Sequence, residues 1–194
     1  AADPFSSIAL FMQNLDHATT TEYLMFLDKI FQPAPHLLSY QKEVLQLLED
    51  ESRNNEDIFA QIDRRILARV ADDAAFSDGI RAACITTLVT RLPESVNYSD
   101  IEYQVIQRFL NESTHPPASK VALYRLLLAK NFPNSNRILQ ETLDPEVYAV
   151  AQNNSLTLAL RGAFIDKVIT EAHRRREAID LFTELLDGKL TPAW

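Results

Sequence analysis

Carboxylates are the one chemically capable group that this chain carries in quantity, with 27 Asp and Glu against four histidines and one cysteine. They gather in three clusters, Glu49-Asp50-Glu51, Glu56-Asp57 and Asp72-Asp73. Two acids work as general acid and base only where burial or close pairing drives their pKa values apart. These clusters fall near expected helix ends, so they read as a solvated acidic rim whose second use is to dock a basic partner. The histidines, His17, His36, His115 and His173, are scattered among loops and helix ends, and no two are spaced as helical zinc ligands are. Cys84 stands alone, which excludes an internal disulfide and a multi-thiolate metal site and makes it a small buried hydrophobe. No Gly-x-Ser-x-Gly elbow and no glycine-rich phosphate loop is present. No catalytic residue, metal or cofactor is therefore expected, and the chain reads as something other than an enzyme.

Basic residues offer one run, His173-Arg174-Arg175-Arg176. It follows an expected helix end, where the macrodipole favours positive charge. Three arginines also suit a phosphate or an acidic peptide.

Helices must position all of these groups. There are only three glycines, Gly79, Gly162 and Gly188, and no alternating β-branched run bounded by turn residues. The apolar residues recur with a period of forty. Windows beginning at Tyr40, Ile80, Lys120 and Leu160 place Val44, Cys84, Tyr124 and Phe164 in one column and Leu48, Leu88, Leu128 and Val168 in another. In a chain that is 46% apolar, a column filled four times out of four arises by chance about one time in twenty. A second series strengthens the pattern: Ile30, Val70, Leu110 and Val150 share an offset, with Phe26, Ile66 and Ile106 four residues ahead of the first three. Leu92-Pro93 and Phe132-Pro133 repeat the same stop, since proline cannot continue a helix.

Punctuation predicts the elements. Asp3-Pro4 opens a short helix to about residue 14, with Phe5, Ile8, Leu10 and Phe11 as a cap face. Further helices are expected over 21–32, 34–51, 56–70 with Asn55 as cap, 80–92 behind Ser77 and Asp78, 100–111 behind Ser99, and 118–131 behind Pro116-Pro117. Shorter ones follow over 136–142 and, after Asp144-Pro145, over 146–152. Asn154 or Ser155 caps a helix reaching His173, and the last runs over 176–186 before Gly188, with Leu190 and Trp194 folding back or pairing with another copy.

The segment Ile80-Arg81-Ala82-Ala83-Cys84-Ile85-Thr86-Thr87-Leu88 resembles the second helix of a HEAT repeat, and Leu160-Arg161-Gly162-Ala163-Phe164-Ile165-Asp166-Lys167-Val168 is similar to a degenerate copy. The copies at Tyr40 and Lys120 keep the apolar positions but carry Gln41 and Val121 in place of the arginine. The resemblance covers most of the chain, and armadillo-like arrays fit nearly as well. It implies an all-α fold, a right-handed α-α superhelix forming a short solenoid of about four to five helix pairs. Residues 1–194 then form a single domain, with 1–33 an N-terminal cap and first helix, 34–173 the repeats and 174–194 a C-terminal cap. The resemblance also implies that Arg81 and Arg161 form a structural ladder to acids of a neighbouring unit, and that second helices bearing Tyr40, Tyr124 and Phe164 line the concave side.

Such arrays dock partners rather than enclose chemistry. The chain reads as a non-enzymatic scaffold for a protein or peptide. Its candidate contacts are Arg81, Tyr124, Arg125 and Arg161 on second helices, Glu49, Asp50 and Glu51 for a basic partner of the N-terminal half, and Arg174, Arg175 and Arg176. A second reading is a HEAT-like DNA glycosylase, and a third is a structural fragment of a longer solenoid. The formal charge of −8 opposes the glycosylase: residues 1–116 hold nine Lys and Arg against eighteen Asp and Glu, and residues 117–194 hold ten against nine. Nucleic acid is thus not an expected partner. No apolar run reaches the ~18 residues of a membrane span. The Ala-Ala-Asp-Pro start fits a mature end left by a signal peptidase or the cut edge of an expressed piece, which places an exported or periplasmic location slightly ahead of a cytoplasmic one. Oligomeric state is left open.

Overall fold

The computed structural model describes residues 20–51 and 58–188. Expectations resting on Asp3-Pro4, the Phe5 to Phe11 face, His17, Asn55, Glu56-Asp57, Leu190 and Trp194 concern positions outside those residues. Among the described residues the regular structure is entirely helical. The chain divides into two compact units, Ala1–Leu92 and Pro93–Trp194. The first contains α1 (Thr20–Ile30), α2 (Leu38–Glu51), α3 (Ile58–Asp72) and α4 (Asp78–Arg91). The second contains α5 (Ile101–Asn111), α6 (Pro117–Lys130), α7 (Pro133–Thr142), α8 (Pro145–Ala151), α9 (Leu158–Thr170) and α10 (Arg175–Leu186). Short 3-10 turns, Pro35–Leu37 and Ala172–Arg174, precede α2 and α10.

In the first unit α4 packs on both α2 and α3, and α3 packs on α1. Leu27, Phe31, Val44, Leu67, Ile85 and Leu88 fill the space between them. Burying each such side chain contributes about 1.5–3 kcal/mol. Two polar side chains share this interior. Gln41 donates from Nε2 to the carbonyls of Ile30 and Gln32, at 3.0 and 2.8 Å. Arg81 donates from Nε to the Ala71 carbonyl at 2.8 Å. Carbonyls at a helix end lack intrahelical partners, so each side chain caps the helix that precedes its own.

In the second unit α6 lies against α7 and α9, α5 against α7, and α10 against α8 and α9. Phe164 and Phe182 meet with ring centroids 5.0 Å apart and planes tilted by 54°, which ties α9 to α10. His115, in the connection from α5 to α6, is buried and stacks on Phe109 at 3.8 Å, with Nε2 2.7 Å from the Glu112 carboxylate.

Leu48 aside, the members of the forty-residue columns are buried: Val44, Cys84, Tyr124 and Phe164, then Leu88, Leu128 and Val168, then Ile30, Val70, Leu110 and Val150. Phe26 is partly exposed, and Ile66 and Ile106 are buried. Burial pushes the Cys84 thiol far above its ordinary pKa, which leaves it a packing group.

The structure moves several expected boundaries. Residues 35–37 form a 3-10 turn and α2 begins at Leu38, because Pro35 holds Ala34 in an extended conformation. Leu92 and Phe132 are likewise extended ahead of Pro93 and Pro133, and Pro133 opens α7 three residues before the expected start. α6 ends on Asn131 in the left-handed region, φ 53°. The cap of α9 is Thr157, whose hydroxyl accepts from Leu160 N–H at 3.2 Å, rather than Asn154 or Ser155. There the Asn153 side chain accepts from Ser155 N–H at 2.9 Å, making a turn that delays the helix.

Candidate binding surface

Among the described residues, exposed apolar area and a cation come together at the seam between α6 and α9. Pro117 starts α6 with its φ preset, and Val121, Tyr124, Leu127 and Leu128 turn inward. Ala118, Ala122, Arg125 and Ala129 remain on the outside. Thr157 sets the start of α9, so that Leu158 and Ala159 open the helix in solvent, with Leu158 45% exposed. Gly162 follows one turn later and faces α6. A Cβ at Gly162 would stand 3.3 Å from Nε of Arg125 and 3.5 Å from its Cγ, so the arginine stem occupies the place of the missing side chain. The guanidinium Nη2 lies 3.4 Å from the Gly162 carbonyl and 3.7 Å from the Asp166 carboxylate, with both side chains about half exposed. Arg125, Leu128, Leu158, Ala159 and Gly162 line an open depression of ≈ 400 Å³.

The other candidate residues fall elsewhere. Tyr124 is core: burial raises its phenol pKa, a hydrogen bond with Thr142 opposes that shift, and only 4% of the residue is exposed. Arg81 is committed inside the first unit, as its bond to Ala71 shows. Arg161, eighty residues on, is only partly buried and does not repeat that contact: its Nε is buried with no protein acceptor. Nothing in the structure explains this difference. Glu49, Asp50 and Glu51 form the last turn of α2.

The arginine run is tied down within the second unit. Arg174 pairs with Glu177, Arg175 with Asp144, and Arg176 with both oxygens of Glu146 at 2.8 and 3.1 Å. It stands at the start of α10, where the macrodipole opposes cations, rather than capping α9. The acids at the start of α8 compensate. Hydrogen bonding to Arg176 holds the Glu146 carboxyl below its ordinary range.

Leu158 and Gly162 were not among the residues that spacing singled out. Gly162 carried a signal, since a glycine inside a helical pattern marks a close approach or a packing requirement. Leu158 carried none. A second apolar crevice, ≈ 330 Å³, lies in the first unit between the 3-10 turn and the start of α4, walled by Pro33, Pro35, Leu38 and Phe76 with Gln41 behind them. Among the described residues, no group of three His, Cys, Asp or Glu side chains is placed to hold a metal ion, and no helix is long and apolar enough to cross a membrane. Comparison with protein-family models, with curated proteins and with solved structures finds no match for this chain.

Proposed function

We propose that this chain is a non-enzymatic module that binds a protein or peptide on the surface of a short right-handed stack of HEAT- or armadillo-like helix pairs. Three features support the architecture. The helices α2, α4, α6 and α9 begin at residues 38, 78, 117 and 158, and within each unit the later of these lies against the earlier. The described members of the apolar columns face inward. Gln41 and Arg81, one period apart, end their preceding helices in the same way. Stacked pairs bury their mutual faces and leave a row of outward helix surfaces, which is what such arrays use for docking.

The observation that carries the binding reading is the α6–α9 seam, where a half-exposed arginine borders an open apolar depression. Arginine is one of the residue types on which interface energy concentrates, and apolar contacts around it exclude water. Panning the full chain against a displayed library of short random peptides tests it. The reading predicts families of related peptides that bind the folded chain saturably and lose binding when it is unfolded in urea. A folded chain that enriches no peptide family rejects it.

A further inference from the structure

The two helices of the seam carry more basic than acidic residues, in a chain that is acidic as a whole. Helix α6 carries Lys120, Arg125 and Lys130 and no acidic residue, and α9 carries Arg161 and Lys167 against Asp166 alone. The formal charge of the whole chain is −8. Charges are screened over about 8 Å at physiological ionic strength. That is shorter than the 14 residues of α6, which span about 21 Å. At the depression itself the charges within that range are Arg125 and its counter-charge Asp166.

Arg125 is the cation at the depression, and its bonding is incomplete. Nη2 has two contacts, both long, at 3.4 Å to the Gly162 carbonyl and 3.7 Å to Asp166. A guanidinium offers five N–H donors in a planar fork that matches a carboxylate. Gly162 sets where that fork lies. Glycine weakens a helix interior, and here the missing Cβ lets the Arg125 stem cross α9, since a Cβ would meet Nε at 3.3 Å. Gly162 itself lines the depression, together with Leu128 and Leu158. Its ≈ 400 Å³ sits at the small end of the roughly 300–1,000 Å³ of ligand pockets.

Resting on the binding reading above, we infer that the α6–α9 seam takes a segment of another protein that presents an Asp or Glu side chain beside a leucine-sized aliphatic one. The carboxylate accepts from the Arg125 fork, displacing the loose contact with Asp166. The aliphatic side chain enters the depression over Ala159 and Gly162, against Leu158. Single-stranded nucleic acid fits less well, because the lining is aliphatic and provides no ring on which a base stacks.

The test resynthesises the peptides enriched by the full chain and measures their affinity for the native sequence and four variants, each checked by circular dichroism. The peptides are expected to share an acid close to a Leu, Ile or Met. Arg125→Glu weakens them by about tenfold or more, and Arg125→Lys by less, since it keeps charge but loses the fork. Asp166→Asn removes the competing carboxylate and tightens them by about twofold. Gly162→Ala weakens them while leaving the fold intact, and the amide resonances of Leu158 and Gly162 shift on binding. Enriched peptides that lack an acid, or that bind Arg125→Glu unchanged, overturn this inference and leave the binding reading standing. Failure to enrich any peptide overturns both. A DNA oligonucleotide that moves the same amide resonances more strongly than the peptides overturns the choice of a protein partner.

Discussion

Gln41 and Arg81, forty residues apart, do the same work on different helices: each reaches from the start of its own helix to the last carbonyls of the one before. Gln41 ends α1 through Ile30 and Gln32, and Arg81 ends α3 through Ala71. Both side chains are buried, so their loss strands carbonyls away from water. Gln41→Leu is expected to lower stability by about 1–3 kcal/mol, the cost of a buried acceptor without a donor. Arg81→Met is expected to cost at least as much. Urea unfolding monitored by circular dichroism measures both, and an unchanged midpoint in either variant refutes the capping role.

Gly162→Ala separates stability from binding. The substitution removes the helix penalty of glycine, about 0.5–1 kcal/mol. The new methyl meets Arg125 Nε at 3.3 Å, a half-exposed side chain free to give way. A rise in Tm of roughly 1–4 °C is expected for a chain of this size. A fall in Tm by calorimetry would mean that Arg125 cannot yield.

Asp144 does two jobs. Its carboxylate accepts from Val147 N–H at 3.2 Å, capping α8, and it pairs with Arg175 at the start of α10. Asp144→Ala is expected to cost about 1 kcal/mol through the lost cap, and Asp144→Asn less, because asparagine caps equally well. Glu146→Ala removes only an exposed pair with Arg176, and its effect should lie within error and fade with salt. Urea midpoints at low and high ionic strength rank the three; an equal loss in Glu146→Ala would count against the cap.

Tyr98 should titrate late. Partial burial and its hydrogen bond to the Glu141 carboxylate push the phenol up to about 12, against the opposing charge of Arg137, whose guanidinium stands 3.7 Å from the ring centroid. The unfolded phenol ionises near 10. Its contribution to stability is therefore complete below pH 10 and disappears as pH rises toward 12. The bond to Tyr98 also depresses the Glu141 pKa, so that contribution is complete above the ordinary carboxylate pKa and is lost as pH falls below it through the depressed one. Phenolate absorbance near 295 nm should show a late step that Tyr98→Phe reduces by the amplitude of one ring, the remainder belonging to Tyr103 and Tyr124, whose phenols burial also raises. An unchanged late amplitude in Tyr98→Phe refutes the assignment.

Local spacing determined that the chain is helical, where most helices stop, and which apolar residues face inward. Those properties follow from backbone torsions and from a periodicity visible within a few residues: Pro93 and Pro133 restrict Leu92 and Phe132 wherever the chain goes. The tertiary structure alone decided which cations are available. Arg81, Arg125 and Arg175 look alike in a sequence. One is buried against Ala71, one lies half exposed across Gly162, thirty-seven residues away, and one is held by Asp144, thirty-one residues away. Leu158 went to the surface for the same reason. Burial and pairing are relations between distant residues, set by how helices pack, and no spacing along a single helix encodes them.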